Sequence, residues 1–288
     1  MPSGVKDKSS SRSSASSRAG KAAPPRARKV AQKAAEGAGE SLPVFSFEAV
    51  LRQKQLSGEK KRKGERTRDS LKLGAVQALG EMGYHNLRVS DVCDRAGASH
   101  AAFYLYFKDK NDITQQVLTD FVDTIAAWGR SGQRGLTVYE SCYHTNLAWI
   151  RATRANAGLV RCILQLSDDT PEFKKFNDHN GYEWFAHVAR TIAKRFLRDP
   201  VDERVLLLTV YALGSMMDDL TRRLLVTRDP NLQKLVDGVT PSDEALAEFL
   251  SMLWCRALFG TDVQAPRFSA GRQLEKIAAA PSPVADQE

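Results

Sequence analysis

From Glu65 onward, apolar residues return at three- and four-residue intervals almost without a break. That is the spacing of one face of an α-helix, not the alternation of a strand. Leu71, Ala75, Ala78, Leu79 and Met82 mark out the first such face, and Gly83 stands where a left-handed residue would end it. Ser90 is placed to cap a second, short helix, with Asp91 at the positive end of its dipole. Val92, Cys93 and Ala96 give that helix a small inward face, Gly97 supplies a turn residue with positive φ, and Ser99 caps a helix from His100 to Phe107. Phe103 and Phe107, four apart, point to the core and leave His100, Ala101, Tyr104 and Tyr106 on other faces. Asp109, supported by Asp112, caps the next helix. The same periodicity predicts helices near Lys110–Arg130, Thr137–Asn156, Ala157–Leu166, Pro171–Leu197, Asp202–Thr227 and Ser242–Phe259, separated by Thr170–Pro171, Asp199–Pro200, Asp229–Pro230 and Thr240–Pro241. The expected fold class is all-α.

Composition divides the chain further. Residues 1–40 are rich in Ser, Ala, Lys, Arg and Pro and hold too little apolar bulk to offset the entropy of ordering, so they are expected to form a disordered basic tail. Residues 41–63 read as a linker with a short apolar island, LPVFSFEAVL, suited to docking on the body or on a partner. Residues 261–288, ending in APSPVADQE, read as a second disordered tail. The net charge of +8 is concentrated at one end: up to Lys63 there are 15 Lys/Arg against 5 Asp/Glu, and beyond it acidic residues slightly outnumber basic ones. A polyanionic partner is expected at the tail and the adjoining head, not over the whole surface. Cys93, Cys142, Cys162 and Cys255 form no CxxC pair and sit in apolar helical settings, so neither a metal, a cofactor nor a disulfide is expected. No apolar run reaches membrane-spanning length and no secretory leader pattern opens the chain, which points to the cytoplasm and, for a DNA binder, the nucleoid.

Two short helices crossing at a glycine turn, the second aromatic and followed by a lysine, form a helix-turn-helix. The run from Gly83, G-x(2)-N-x-R-V-S-D-V-x(2)-R-A-G-x-S-x(3)-F-Y-x-Y-F-K-D-K, resembles the DNA-binding domain of the TetR family of bacterial transcriptional regulators. The likeness covers about Glu65 to Leu118, and its most specific part is Tyr104-x-x-Phe107-Lys108-x-Lys110. It implies a three-helix DNA-reading domain at 64–112 and a larger helical effector-binding and dimerisation domain at 113–260. It also implies that Ser90 and Tyr104 hydrogen-bond phosphates, that Tyr106 and Lys110 hold the backbone, and that Thr67 touches it from the first helix. His100, Ala101 and Ala102, behind the Ser99 cap, would approach base edges. That set lacks the Arg or Gln that reads guanine or adenine most sharply, which leaves apolar contact with thymine methyls.

The second half carries weaker signals. An apolar cavity between helices is the expected ligand site. Its candidate lining is Tyr139, Cys142, Tyr143, Asn146 and Trp149 on one helix, with Cys162, Leu166, Trp184 and His187 on the next two. Polar tips on an aromatic wall suit a small apolar or aromatic effector. For homodimerisation the expected stripes are Leu206, Val210, Leu213, Met217 and Leu220, and Leu246, Phe249, Leu250, Leu253 and Leu258, with Gly214 and Ser215 allowing close approach. The functional expectation is a homodimeric repressor released from a palindromic operator by a small molecule, and not an enzyme, since no nucleophile–base spacing appears. The alternative is a ligand-independent architectural or nucleoid-associated protein using the basic tail.

Overall fold

The computed structural model describes residues 44–57, 62–129, 136–197, 200–260, 267–270 and 272. The expected tail at 1–40 and most of the expected tail at 261–288 lie outside them. The described chain holds eleven α-helices and, among the described residues, no strand. They are α1 (Phe47–Leu56), α2 (Lys63–Asn86), α3 (Val89–Ala96), α4 (His100–Tyr104), α5 (Lys110–Gly129), α6 (Val138–Ala155), α7 (Ala157–Asp169), α8 (Pro171–Phe196), α9 (Glu203–Thr221), α10 (Pro230–Val239) and α11 (Asp243–Phe259). A π-helical turn, Arg222–Val226, continues α9 and buries Leu224, Leu225 and Val226. None of these helices is long and apolar enough to cross a membrane.

Two cores organise the bundle. The first joins α1 to α5 with α7 and the start of α8, around Leu71, Leu79, Phe103, Phe107, Leu118, Phe121, Cys162, Leu166 and Phe173. The second joins α6, α8, α9, the π turn and α11 around Ile150, Phe185, Val210, Leu224, Leu246 and Leu250. The boundary between cores therefore does not follow the chain at residue 113, because α7 is buried with the amino-terminal head.

The expected linker contains α1, and α1 docks on the body. Phe45 and Phe47 are buried, with their rings 6.3 and 5.4 Å from that of Phe121. Asn156, buried between α6 and α7, accepts from the Phe47 N–H (2.9 Å) and donates to the Phe45 carbonyl (2.8 Å). Glu48 accepts from Gln77 of α2 at 2.9 Å, so α1 is tied to the head as well.

The dimer stripes expected from the sequence are corrected. Leu206, Val210, Met217, Leu246 and Leu250 are buried in the second core, with Leu213, Leu220, Phe249, Leu253 and Leu258 packed against it. Gly214 faces Phe185 of α8 in the same chain, where an added Cβ would lie 2.0 Å from the ring. An apolar stripe marks the buried face of a helix without saying which chain covers it. The exposed face of α9 instead carries Val205, Leu208, Tyr211 and Met216, with Ser215 also exposed. Asp219 accepts from Arg223 at 2.7 Å and pairs with Arg222.

Candidate nucleic-acid interface

Helix α3 begins at Val89, one residue ahead of Ser90, and its N-cap is Arg88. Asp91 reaches back to accept from the Arg88 N–H at 2.9 Å, so the carboxylate does the capping from inside the helix. Ser90 consequently sits half-buried in the first turn and is not the cap. Gly97 ends α3 in the left-handed conformation (φ 60°, ψ 37°). Gly83 breaks α2 with φ 78° and ψ 172°, an extended positive-φ geometry open to glycine and not the left-handed helical one expected. Ser99 caps α4, accepting from the Ala102 N–H at 3.1 Å.

Phe103 and Phe107 are almost fully buried and pin the turn after α4 to the core. Their burial turns His100, Ala101 and Tyr104 outward, all exposed, with Ala102 half-buried. Leu105 is 78% exposed and Tyr104 58%, so the tip of the head is an aromatic–aliphatic knob. Leu105 was missed in the sequence, although its place between two tyrosines and off the Phe103–Phe107 face was a usable signal.

The remaining candidates frame this surface. Tyr106 is half-buried, with its hydroxyl against the start of α2: a Cβ on Gly64 would lie 3.1 Å from it. Thr67 donates to the Lys63 carbonyl at 3.1 Å. Lys110 donates to the His85 carbonyl at 3.2 Å and lies 5.3 Å from the Tyr84 ring centre, so its ammonium serves the carbonyl end of α2. The Asp112 carboxylate accepts from the Lys108 N–H at 2.9 Å, while the Asp112 N–H donates to the Asp109 cap at 2.9 Å. Burial pushes the Asp112 carboxyl up. Hydrogen bonds from Lys108 and Gln116, with the charges of Lys108 and Arg68, outweigh that and hold it below its ordinary value.

Helix α7 closes off the far end of α2. Cys162 donates to the Leu79 carbonyl (3.5 Å), Arg161 to the Gly80 carbonyl (3.4 Å), and Gln165 accepts from the Tyr84 N–H (3.0 Å). Gly158 lies so close to Gly80 that a Cβ there would meet its carbonyl oxygen at 2.3 Å. The head is thus held by a helix of the larger domain.

The expected effector residues do not converge on one place. Cys162 and Leu166 are fully buried in the first core, under α2. Tyr139, Cys142, Tyr143 and Asn146 lie on α6 where it meets α11. Tyr139 donates to Glu248 at 3.5 Å and stacks on Tyr143, and Asn146 donates to Ser251 at 2.8 Å. Burial and the Glu248 charge push the Tyr139 phenol up to about 12. Trp149 packs on the second core with its indole N–H buried and unpartnered. Trp184 and His187 lie on α8 with rings 6.0 Å apart. Glu248, unnoticed in the sequence, is fully buried and accepts from the N–H groups of Arg267 (3.1 Å) and Phe268 (2.7 Å). Part of the expected carboxyl-terminal tail therefore docks on the body.

Residues 73–117 match the family described as bacterial regulatory proteins of the tetR family. The match spans the helix-turn-helix, so the head is similar to that family. The chain is 36% identical over 61 residues to an uncharacterised helix-turn-helix transcriptional regulator of Bacillus subtilis, YdgC, covering 21% of this chain and 31% of that protein. It is 46% identical over 39 residues to the fatty acid metabolism regulator protein of the same organism, covering 14% of this chain and 20% of that protein. The likeness to these curated relatives thus spans less than a third of their lengths. Two solved structures share the fold over part of this chain at low identity. One is the fatty acid degradation regulator FadR from Bacillus halodurans (TM-score 0.52, 19% identity, 70% of this chain and 99% of that one). The other is a putative TetR-family regulator from Syntrophomonas wolfei (TM-score 0.50, 15% identity, 70% and 100%).

Proposed function

We propose that this chain is a homodimeric DNA-binding transcriptional regulator that reads a palindromic operator through α4 and is released by a small effector. The carrying observation is the α4 tip: a Ser99-capped helix anchored by Phe103 and Phe107, with His100, Ala101, Tyr104 and Leu105 left outward. Large apolar side chains without a covering partner mark a contact surface, and a tyrosine hydroxyl beside them can reach a phosphate. Base preference would come from methyl contacts and groove shape, since the tip offers no bidentate donor.

Dimerisation is supported by the exposed apolar face of α9, Val205–Leu208–Tyr211–Met216, which needs a second copy to cover it. Release by an effector is supported by the link between domains. Any repacking of the larger domain that shifts α7 pulls on the Leu79, Gly80 and Tyr84 bonds at the end of α2. A change in head separation misaligns two copies of α4 with successive major grooves, a population shift away from the bound form. The buried, unpartnered indole N–H groups of Trp149 and Trp254 and the Thr153 hydroxyl favour an effector that brings acceptor oxygens on an apolar or aromatic frame. Two similar proteins carry fatty acid regulation in their names, and an acyl carboxylate has that chemistry.

Gel shifts with the DNA flanking the gene test the reading. A sequence-preferring complex is expected, with affinity falling steeply as salt rises. The ligand-independent architectural alternative predicts that removing residues 1–40 abolishes site preference; the regulator reading predicts weaker binding with the preference kept.

A further inference from the structure

The antiparallel contact between α6 and α11 is held in one register along its length. Asn146 donates to Ser251 at 2.8 Å near the middle. Toward one end Arg154 pairs with Asp243 at 2.6 Å, and Arg151 pairs with Glu244. Moving one turn the other way, four residues back on α6 and four forward on α11, brings Cys142 opposite Cys255. The two side chains share one cluster there. Cys255 is 1% exposed and Met252, one turn before it on α11, is 3% exposed in the same cluster, against which Cys142 packs half-buried. Three sulfur-bearing side chains from two helices thus share one small apolar cluster, although their positions along the chain gave no ligand spacing.

We propose that Cys142 and Cys255 form a two-sulfur site for a soft monovalent metal ion of the Cu(I) type, with the Met252 thioether beside it. Thiolate and thioether sulfur select soft ions, which accept two or three such ligands. Zinc in a structural site asks for four ligands, and among the described residues no three His, Cys, Asp or Glu side chains converge. A disulfide would use the two cysteines and leave the thioether without a part. Loading breaks two S–H bonds and forms two S–metal bonds, and both protons go to solvent. No electron changes hands. The other two cysteines, Cys93 on α3 and Cys162 on α7, lie in the first core and act as internal controls. The site does not depend on the DNA-binding reading, because its ligands all lie in the larger domain.

The test uses the full-length, reduced chain under anaerobic conditions, competing for Cu(I) with a colorimetric chelator. One equivalent per chain is expected to transfer. Cys142→Ala and Cys255→Ala should each weaken retention by about a hundredfold, whereas Cys93→Ala leaves it unchanged. Circular dichroism before loading identifies any variant that fails to fold, and copper K-edge X-ray absorption on the loaded, unmutated chain counts the sulfur ligands. Two or three sulfur ligands at the metal support the site. No transfer, or equal transfer to Cys142→Ala, or an equal loss of retention in Cys93→Ala, overturns it.

Discussion

Tyr104 illustrates how a single side chain separates function from folding. More than half of it is exposed, and among the described residues its ring neighbour is Phe103, edge-on at 5.3 Å. Replacing it with Ala should leave the melting temperature nearly unchanged, since surface substitutions of this kind stay within about 0.5 kcal/mol. Operator affinity should fall by about 1.5–3 kcal/mol, the worth of a hydrogen bond to a charged group. Calorimetry and gel shifts on the same sample distinguish the two effects; a large loss of stability would reassign Tyr104 to packing. Gly158 presents the opposite case. It touches no expected DNA surface, yet a Cβ there overlaps the Gly80 carbonyl, which is backbone and cannot rotate away. Gly158→Ala should destabilise the fold by about 1–3 kcal/mol and loosen the grip of α7 on α2, lowering operator affinity as well.

At the scale of elements, α1 is the informative one. It carries a Ser46 cap, a buried Phe47 and a Glu48–Arg52 pair, all local features of a helix. Phe47→Ala should cost about 3–5 kcal/mol, measured by denaturant unfolding. A cost under about 1 kcal/mol would show that α1 is dispensable. The apolar island was legible in the sequence as something that docks, because aromatic residues in a basic stretch stand out. Its partner was not, since Asn156 and Phe121 are distant in the chain and only folding brings them together. The helices α5 to α9 and α11 were legible nearly to their ends, because proline pairs and capping residues punctuate them. Helix α10 was not: none of its residues is buried, so no core stripe announced it. For α9, periodicity identified the inward face correctly as apolar but could not say that the partner surface lay in the same chain. The outward placing of His100, Ala101 and Tyr104 was legible because short-range rules fix it: Ser99 caps, and two phenylalanines orient the rest. The contact of Lys110 with the end of α2 was not legible, since its partner is a carbonyl and carbonyls leave no mark in a sequence.

For the molecule as a whole, the proposed homodimer turns on α9. Leu208 is 72% exposed at the centre of its outward apolar face. Leu208→Glu places a charge on that face without touching either core, so the subunit should fold normally and sediment as a monomer. Operator binding should then weaken sharply, because two half-sites are no longer engaged by one particle. An unchanged dimer would move the interface elsewhere, with α10, where Leu235 and Val239 are exposed, the next surface to probe.

The burial of α7 against α2 also bears on how such regulators can be recombined. A graft that takes this head up to Gly129 and joins it to a foreign body leaves Leu79, Phe121 and their neighbours facing solvent, and strips α2 of Arg161, Cys162 and Gln165. Chimeras built at that seam should be insoluble or deaf to their inducer. Those that import the donor's Gly158–Leu166 surface along with the head should keep both specificity and response.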